Sequence, residues 1–98
     1  MSQEEPIPLE LYCQHEELDI TFVQALSERG LIQVMVVQER TCIAPAQVAR
    51  LEQLARLHQD LDINLEGIEA ISHMLERMER VQREMRALQE RLRVYEGE

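Results

Sequence analysis

The chain has no lysine and no tryptophan, and its only aromatic residues are Tyr12, Phe22 and Tyr95. All ten basic residues are arginine, a bias the sequence itself does not explain. With so few aromatics, the core has to be assembled from Leu, Ile, Val, Met and Ala. Cysteine is also scarce. Cys13 and Cys42 are too few for a disulfide-built secreted fold, which points to a reducing compartment. No stretch approaches the roughly eighteen apolar residues that span a bilayer. The opening MSQEEPIPLE lacks the basic and apolar regions of a signal peptide. Together these absences predict a cytoplasmic protein that does not enter membranes.

What is present is acid. The net charge is −9 over 98 residues, and its distribution says more than its size. Residues 1–75 carry thirteen acids against four bases, whereas residues 76–98 carry six of each. Such a surface repels nucleic acid and anionic lipid and favours a basic partner. A domain of this size is marginally stable alone, so self-association is expected.

The pattern predicts a mainly α fold. Residues 1–6 form an acidic tail without expected order. Ile7 is predicted as a brief extended entry, and helix one from Pro8, suited to a first helical position, to about His15, with Leu9, Tyr12, Cys13 and Leu18 inward. Asp19 caps a second helix over Ile20 to Arg29, whose buried stripe is Phe22, Val23 and Leu26. Gly30 suits the left-handed position that ends a helix. The β-branched run Leu31–Gln38 and the segment Thr41–Ile43 predict a two-stranded hairpin, a wing attached to helix two. A third helix starts at Pro45 and runs to about Leu61, with Val48, Leu51, Leu54, Ala55 and His58 near one face. Asp62–Ile63–Asn64 breaks the chain there, and Asn64 caps a fourth helix from Leu65 to about Tyr95.

Residues 7–64 thus form a winged helix-turn-helix domain, and residues 65–98 a separate long helix. Its apolar positions are Ile68, Ile71, Leu75, Met78, Val81, Met85, Leu88, Leu92 and Tyr95. Their intervals alternate three and four apart from one extra three at Met78–Val81, a coiled-coil seam with one discontinuity. The simplest cover for the seam is a second copy. The predicted homodimer interface is Ile71, Leu75, Met78, Val81, Met85, Leu88 and Leu92. Outside it, Glu76–Arg80, Glu79–Arg83, Arg80–Glu84 and Arg86–Glu90 have i,i+4 spacing.

The segment Asp19–Ile32 has the outline of a DNA-reading helix without the charge. Its one base is Arg29, set among Asp19, Glu28 and the preceding Glu16–Glu17. Adding Arg40 on the wing and Arg50 and Arg56 on helix three gives four possible phosphate contacts, against eight acids in residues 1–43. Affinity for B-DNA rests on several such contacts, each contributing about −0.9 to the salt slope. A minimal DNA-binding transcription regulator is therefore the alternative reading, and a protein partner the leading one.

The element order resembles the MerR-type winged helix-turn-helix architecture with its long dimerisation helix, and Leu57–Leu75 looks like the corner into that helix. The chain is more closely similar to the chaperone-modulator CbpM family. Leu11-Tyr12-Cys13-Gln14-His15 resembles that family's aromatic-Cys-x-His first helix, and Gly30-Leu31-Ile32 its Gly-aliphatic-aliphatic helix end. Leu61-Asp62, Gly67-Ile68 and the tail RALQERLRVYE resemble its C-terminal half. One departure is Glu16-Glu17, where the family often has a Thr-Gly-type turn.

The resemblance implies a cytoplasmic homodimer with antiparallel helices that binds the J-domain of a CbpA/DnaJ-type co-chaperone. Binding would inhibit that co-chaperone's work with Hsp70 and, in some members, its DNA binding. J-domains resemble one another in presenting a basic helix, so complementary charge would steer the encounter. The expected docking face is Glu10, Glu16, Glu17, Asp19 and Glu28.

Catalysis and metal binding find little support. Cys13-x-His15, with Cys42 and His58 or His73, lacks the paired close spacing of zinc ligands. Cys13 and His15 are two apart on a helix and do not face each other, so no activated thiol is expected. Glu16-Glu17 and Asp60–Asp62 come with neither a Gly-rich loop nor a base. The expectation is a non-enzymatic protein with no cofactor and no metal. Met74, Met78 and Met85 read as adaptable interface packing.

Overall fold

The computed structural model describes residues 5–97; most of the tail expected over 1–6 lies outside them. The elements are β1 (Ile7–Pro8), α1 (Leu9–Glu16), α2 (Ile20–Glu28), β2 (Val34–Val37), β3 (Arg40–Ile43), α3 (Pro45–Leu61) and α4 (Leu65–Tyr95). This is a winged helix-turn-helix followed by a 31-residue helix.

Local chemistry sets the helix ends. Asp19 Oδ1 accepts from the Thr21 N–H at 2.9 Å, and Asn64 Oδ1 from the Gly67 N–H at 2.8 Å. At the end of α2, Gly30 takes a φ of +76°. The Leu31 N–H then reaches Leu26 O at 2.9 Å and the Gly30 N–H reaches Ser27 O at 3.0 Å. This is a Schellman motif, sealed by the burial of both Leu26 and Leu31. Glu17 ends α1 in the same way, with φ +58° and Leu18 N–H donating to Cys13 O at 2.8 Å. A glutamate thus occupies the left-handed turn position that a glycine would fill without strain.

Three local expectations are corrected. Pro8 does not begin α1 but precedes it as the N-cap. Ile7–Pro8 pairs antiparallel with Cys42–Ile43, so the sheet has three strands in the order β1-β3-β2 rather than two. Pro8 lacks an N–H, and an edge strand tolerates that. Finally, β2 begins at Val34, because Leu31 and Ile32 are withdrawn into the core.

The β2–β3 turn is Gln38-Glu39, flanked by the Val37↔Arg40 pair, and both residues have positive φ (50° and 65°). That is the two-residue primed turn which favours Asn-Gly. Left-handed backbone costs an ordinary residue about 1–2 kcal/mol. The double substitution Gln38→Asn/Glu39→Gly should therefore stabilise the protein by about 1 kcal/mol, raising Tm by roughly 4–8 °C at fixed protein concentration. Thermal circular dichroism checks this, and an unchanged or lower Tm would refute it.

One core joins all these elements: Leu9, Tyr12 and Cys13 from α1, Val23 and Leu26 from α2, Ile43 from β3, Leu51 and Leu54 from α3, and Ile68 from α4. Ile68, grouped with the seam by its spacing, is fully buried in this core. His58 acts as a wedge, stacking on Phe22 with ring centroids 4.3 Å apart while its Nδ1 lies 2.9 Å from Ile63 O. Beyond Leu75 the described residues touch α4 chiefly where Arg50 reaches Glu79, and every residue from Glu76 to Gly97 is exposed. None of the four i,i+4 pairs expected there closes. Glu79 turns to Arg50 on α3 at 3.7 Å, and Glu90 pairs with Arg93 within the helix at 3.2 Å. Exposed pairs gain too little to hold two long side chains together.

Candidate functional site

In a winged helix-turn-helix the second helix and the wing are the surfaces offered to a partner. The exposed row of α2 is Thr21, Gln24 and Glu28, spaced three and four apart, and it carries no base. Arg29 follows directly, but its guanidinium faces back toward the long helix. Nη1 meets Glu69 Oε1 at 2.9 Å and Nη2 meets Glu66 Oε2 at 3.3 Å. Arg50 is likewise engaged, donating to the buried Ser72 hydroxyl at 3.2 Å and approaching Glu79. Two of the four bases outside the C-terminal tail thus brace α4 against the domain. Sequence reasoning missed this, since the partners lie 22 to 40 residues away.

The wing is apolar. Met35, Val36 and Val37 on the edge strand β2 are all exposed, Val36 by 72%. Between wing tip, α1 and α2 lies a groove of about 230 Å³ lined by Glu10, Ile20, Gln24, Glu39, Arg40 and Thr41. It brings Glu10 together with Glu39, an acid absent from the expected docking set.

The remaining acids of that set are exposed but dispersed. Glu17 holds the strained turn, and Asp19 is committed to capping α2. Glu28 sits at the far end of α2, roughly 13 Å along the axis from Asp19. Glu16 lines a second notch, of about 210 Å³, with Tyr12, Leu18, Glu52, Ala55, Arg56 and Gln59. Glu52 and Gln59 from α3 were not anticipated; their only signal is a position beside the buried Leu51 and Ala55 on the helix face turned toward α1.

Tyr12 is 9% exposed, and its hydroxyl is shielded from solvent with no partner at full hydrogen-bond geometry. The Glu52 carboxylate stands close enough to hold the phenol proton both by its charge and as an acceptor. Burial first, then the Glu52 and Glu16 carboxylates, pushes the phenol pKa up to about 12. The folded state therefore holds this proton more tightly than the unfolded chain does. Its contribution is intact below pH ~10 and is lost as pH rises toward ~12, amounting to about 2–3 kcal/mol at most. The buried Cys13 thiol, also raised, adds a loss of the same sign, and with no lysine to titrate in that window the combined loss should be visible in urea unfolding between pH 9 and 12. Tyr12→Phe should blunt it, and a variant that declines as steeply as wild type would exclude this origin.

Cys13 is buried, and burial first, then Asp19, raises its pKa, which disfavours a thiolate nucleophile. Among the described residues no group of three or more His, Cys, Asp or Glu side chains is placed to hold a metal ion. No described helix is long and apolar enough to cross a membrane.

On α4 the predicted interface divides. Ile71 and Leu75 are half-buried beside the domain, while Met78, Val81, Met85, Leu88 and Leu92 are each 50–59% exposed along one stripe. Met74, Met78 and Val81 with the stem of Arg77 form an open apolar groove of about 430 Å³ on it.

No curated protein and no solved structure matches the chain. One family does: that described as MerR HTH family regulatory protein, over residues 7–90.

Proposed function

The chain belongs to the MerR HTH family of regulatory proteins, and from that premise we propose that it is a cytoplasmic, non-enzymatic adaptor that binds a basic protein partner. In this reading the partner is the J-domain of a CbpA/DnaJ-type co-chaperone, whose work with Hsp70 it inhibits. The protein acts as a homodimer joined through α4.

The observation that carries the reading is the engagement of Arg29 by Glu66 and Glu69. The one base of the reading helix is occupied, and Arg50 is held in the same way. Among the described residues Arg40 is then the only base lining the α2–wing groove, beside Glu10 and Glu39. A phosphate backbone would have to displace these carboxylates, or do without the charge neutralisation on which DNA affinity depends. The exposed valines of the wing favour the same side, since apolar contact suits a protein surface better than phosphate.

The test is a titration of the isolated J-domain in low salt, where charge pairing is least screened. Binding in the tens of micromolar or tighter is expected, and its absence sinks the adaptor reading. A gel shift with the protein's own promoter region that survives moderate salt would favour the regulator of transcription instead.

A further inference from the structure

Of the two strands that edge the sheet, one is closed to further pairing and the other is open. Val37 and Arg40 flank a two-residue turn, so the ladder from β2 to β3 uses the main chains of Val37 and Met35. The N–H and C=O groups of Val34 and Val36 therefore point away from the sheet. No backbone hydrogen bond outside the ladder reaches them. By the same alternation, the residue that would offer an outward N–H on the other edge is Pro8, which has none. Exposed edges are ordinarily guarded by charge, proline or a bulge. Residues 30–38 carry no charge and no proline, and Met35, Val36 and Val37 are exposed.

We propose that the outer edge of β2 pairs antiparallel with the same strand of a second copy, joining two three-stranded sheets into one. The two-fold register that uses every free group sets Val34 opposite the partner's Val36 and Met35 opposite the partner's Met35. Each Val34–Val36 pair then exchanges both N–H···O=C bonds. Val36, 72% exposed in the single chain, comes to lie beside a Val34 that packs against the core. A second copy fits this edge better than a basic strand, because residues 30–38 offer no acid to pair with one. The same lack of charge removes from the contact the repulsion that two chains of −9 exert elsewhere. A four-residue edge buries far less than the roughly 1,200 Å² of a stable interface. The pairing is accordingly weak, with a dissociation constant of about a millimolar, and it adds to the α4 contact without replacing it.

The test follows the Val34 and Val36 amide signals by NMR in the full chain carrying Leu88→Asp, a background that keeps α4 out of the contact. Both signals should shift and approach saturation as protein concentration rises from about 0.1 to 3 mM. Added salt should strengthen the effect by screening the repulsion between chains, the reverse of the salt dependence expected for a basic partner. Met35→Lys alone and Met35→Glu alone should each abolish the shifts. Like charges would then meet directly across the two-fold, with Cα atoms about 4.5 Å apart. An equimolar mixture of the two variants should restore the shifts, which a merely structural effect of either substitution would not do. Signals that stay constant up to about 3 mM, or a mixture no more associated than either variant alone, overturn the proposal. Signals moved by the J-domain and not by the protein's own concentration give this edge to the partner and overturn it as well. Concentration-dependent shifts without J-domain binding refute the adaptor reading and leave the strand pairing standing.

Discussion

Leu88→Asp is expected to convert the proposed homodimer to a monomer. Leu88 sits mid-stripe on α4, 59% exposed, between Met85 and Leu92 at coiled-coil spacing. None of the described residues of the chain's own domain covers this length of helix. A helical stretch of this kind is only marginally stable in water without a packing partner. Pairing with a second copy would bury the stripe of both chains, and each half-exposed side chain would contribute about 1–1.5 kcal/mol. Because a two-fold interface repeats every substitution, Leu88→Asp places two carboxylates in one apolar seam. Their desolvation and the lost leucine contacts together should raise the dissociation constant by at least about a hundredfold. Sedimentation equilibrium at about ten micromolar reads this directly, with Gln89→Asp as a control outside the stripe. The helical circular dichroism signal should fall as dimerisation is lost. A wild-type protein that stays monomeric at high micromolar concentration, or a Leu88→Asp protein that stays dimeric, removes the dimer from the account.

The second large effect concerns the docking face. Combined replacement of Glu10, Glu16 and Glu17 by glutamine is expected to weaken J-domain binding by roughly ten- to thirtyfold, mostly through slower association. Glu10 and Glu16 line the two notches on either side of α1 and Glu17 follows directly, and all three are exposed. Exposed charges at an interface act chiefly on encounter and specificity, so wild-type affinity should fall with added salt and the variant should respond less. Folding should be little affected, since none of the three is in an ion pair that crosses elements. Isothermal titration at two salt concentrations checks both points. An affinity indifferent to salt and to the triple substitution would place the contact elsewhere, with the exposed wing valines the next surface to test.

The elements whose ends are written in neighbouring residues are legible in the sequence alone. Asp19 and Asn64 cap their helices within three residues, Gly30 closes α2, and Pro45 opens α3. The long helix is legible because apolar spacing persists over many turns. Less legible are features created by residues far apart in sequence. Ile7–Pro8 becomes a strand only because Cys42–Ile43 lies beside it. Ile68 shares the seam's spacing, but its place in the core depends on where the α3–α4 corner aims the first turn of α4. Of the docking acids, Glu10 and Glu16 line separate notches, and their neighbours there, Glu39 and Glu52, come from the wing and α3.

By itself, the sequence determined the winged helix-turn-helix order, the acidic imbalance of residues 1–75 and the apolar stripe of α4, because composition and short-range spacing encode all three. Only the tertiary structure decided what the arginines do. Arg29 has the place of a lone base on a reading helix, yet Glu66 and Glu69 hold it from about forty residues away. A side chain's charge is a property of the residue, but its availability depends on which other charges the fold brings within a few ångströms.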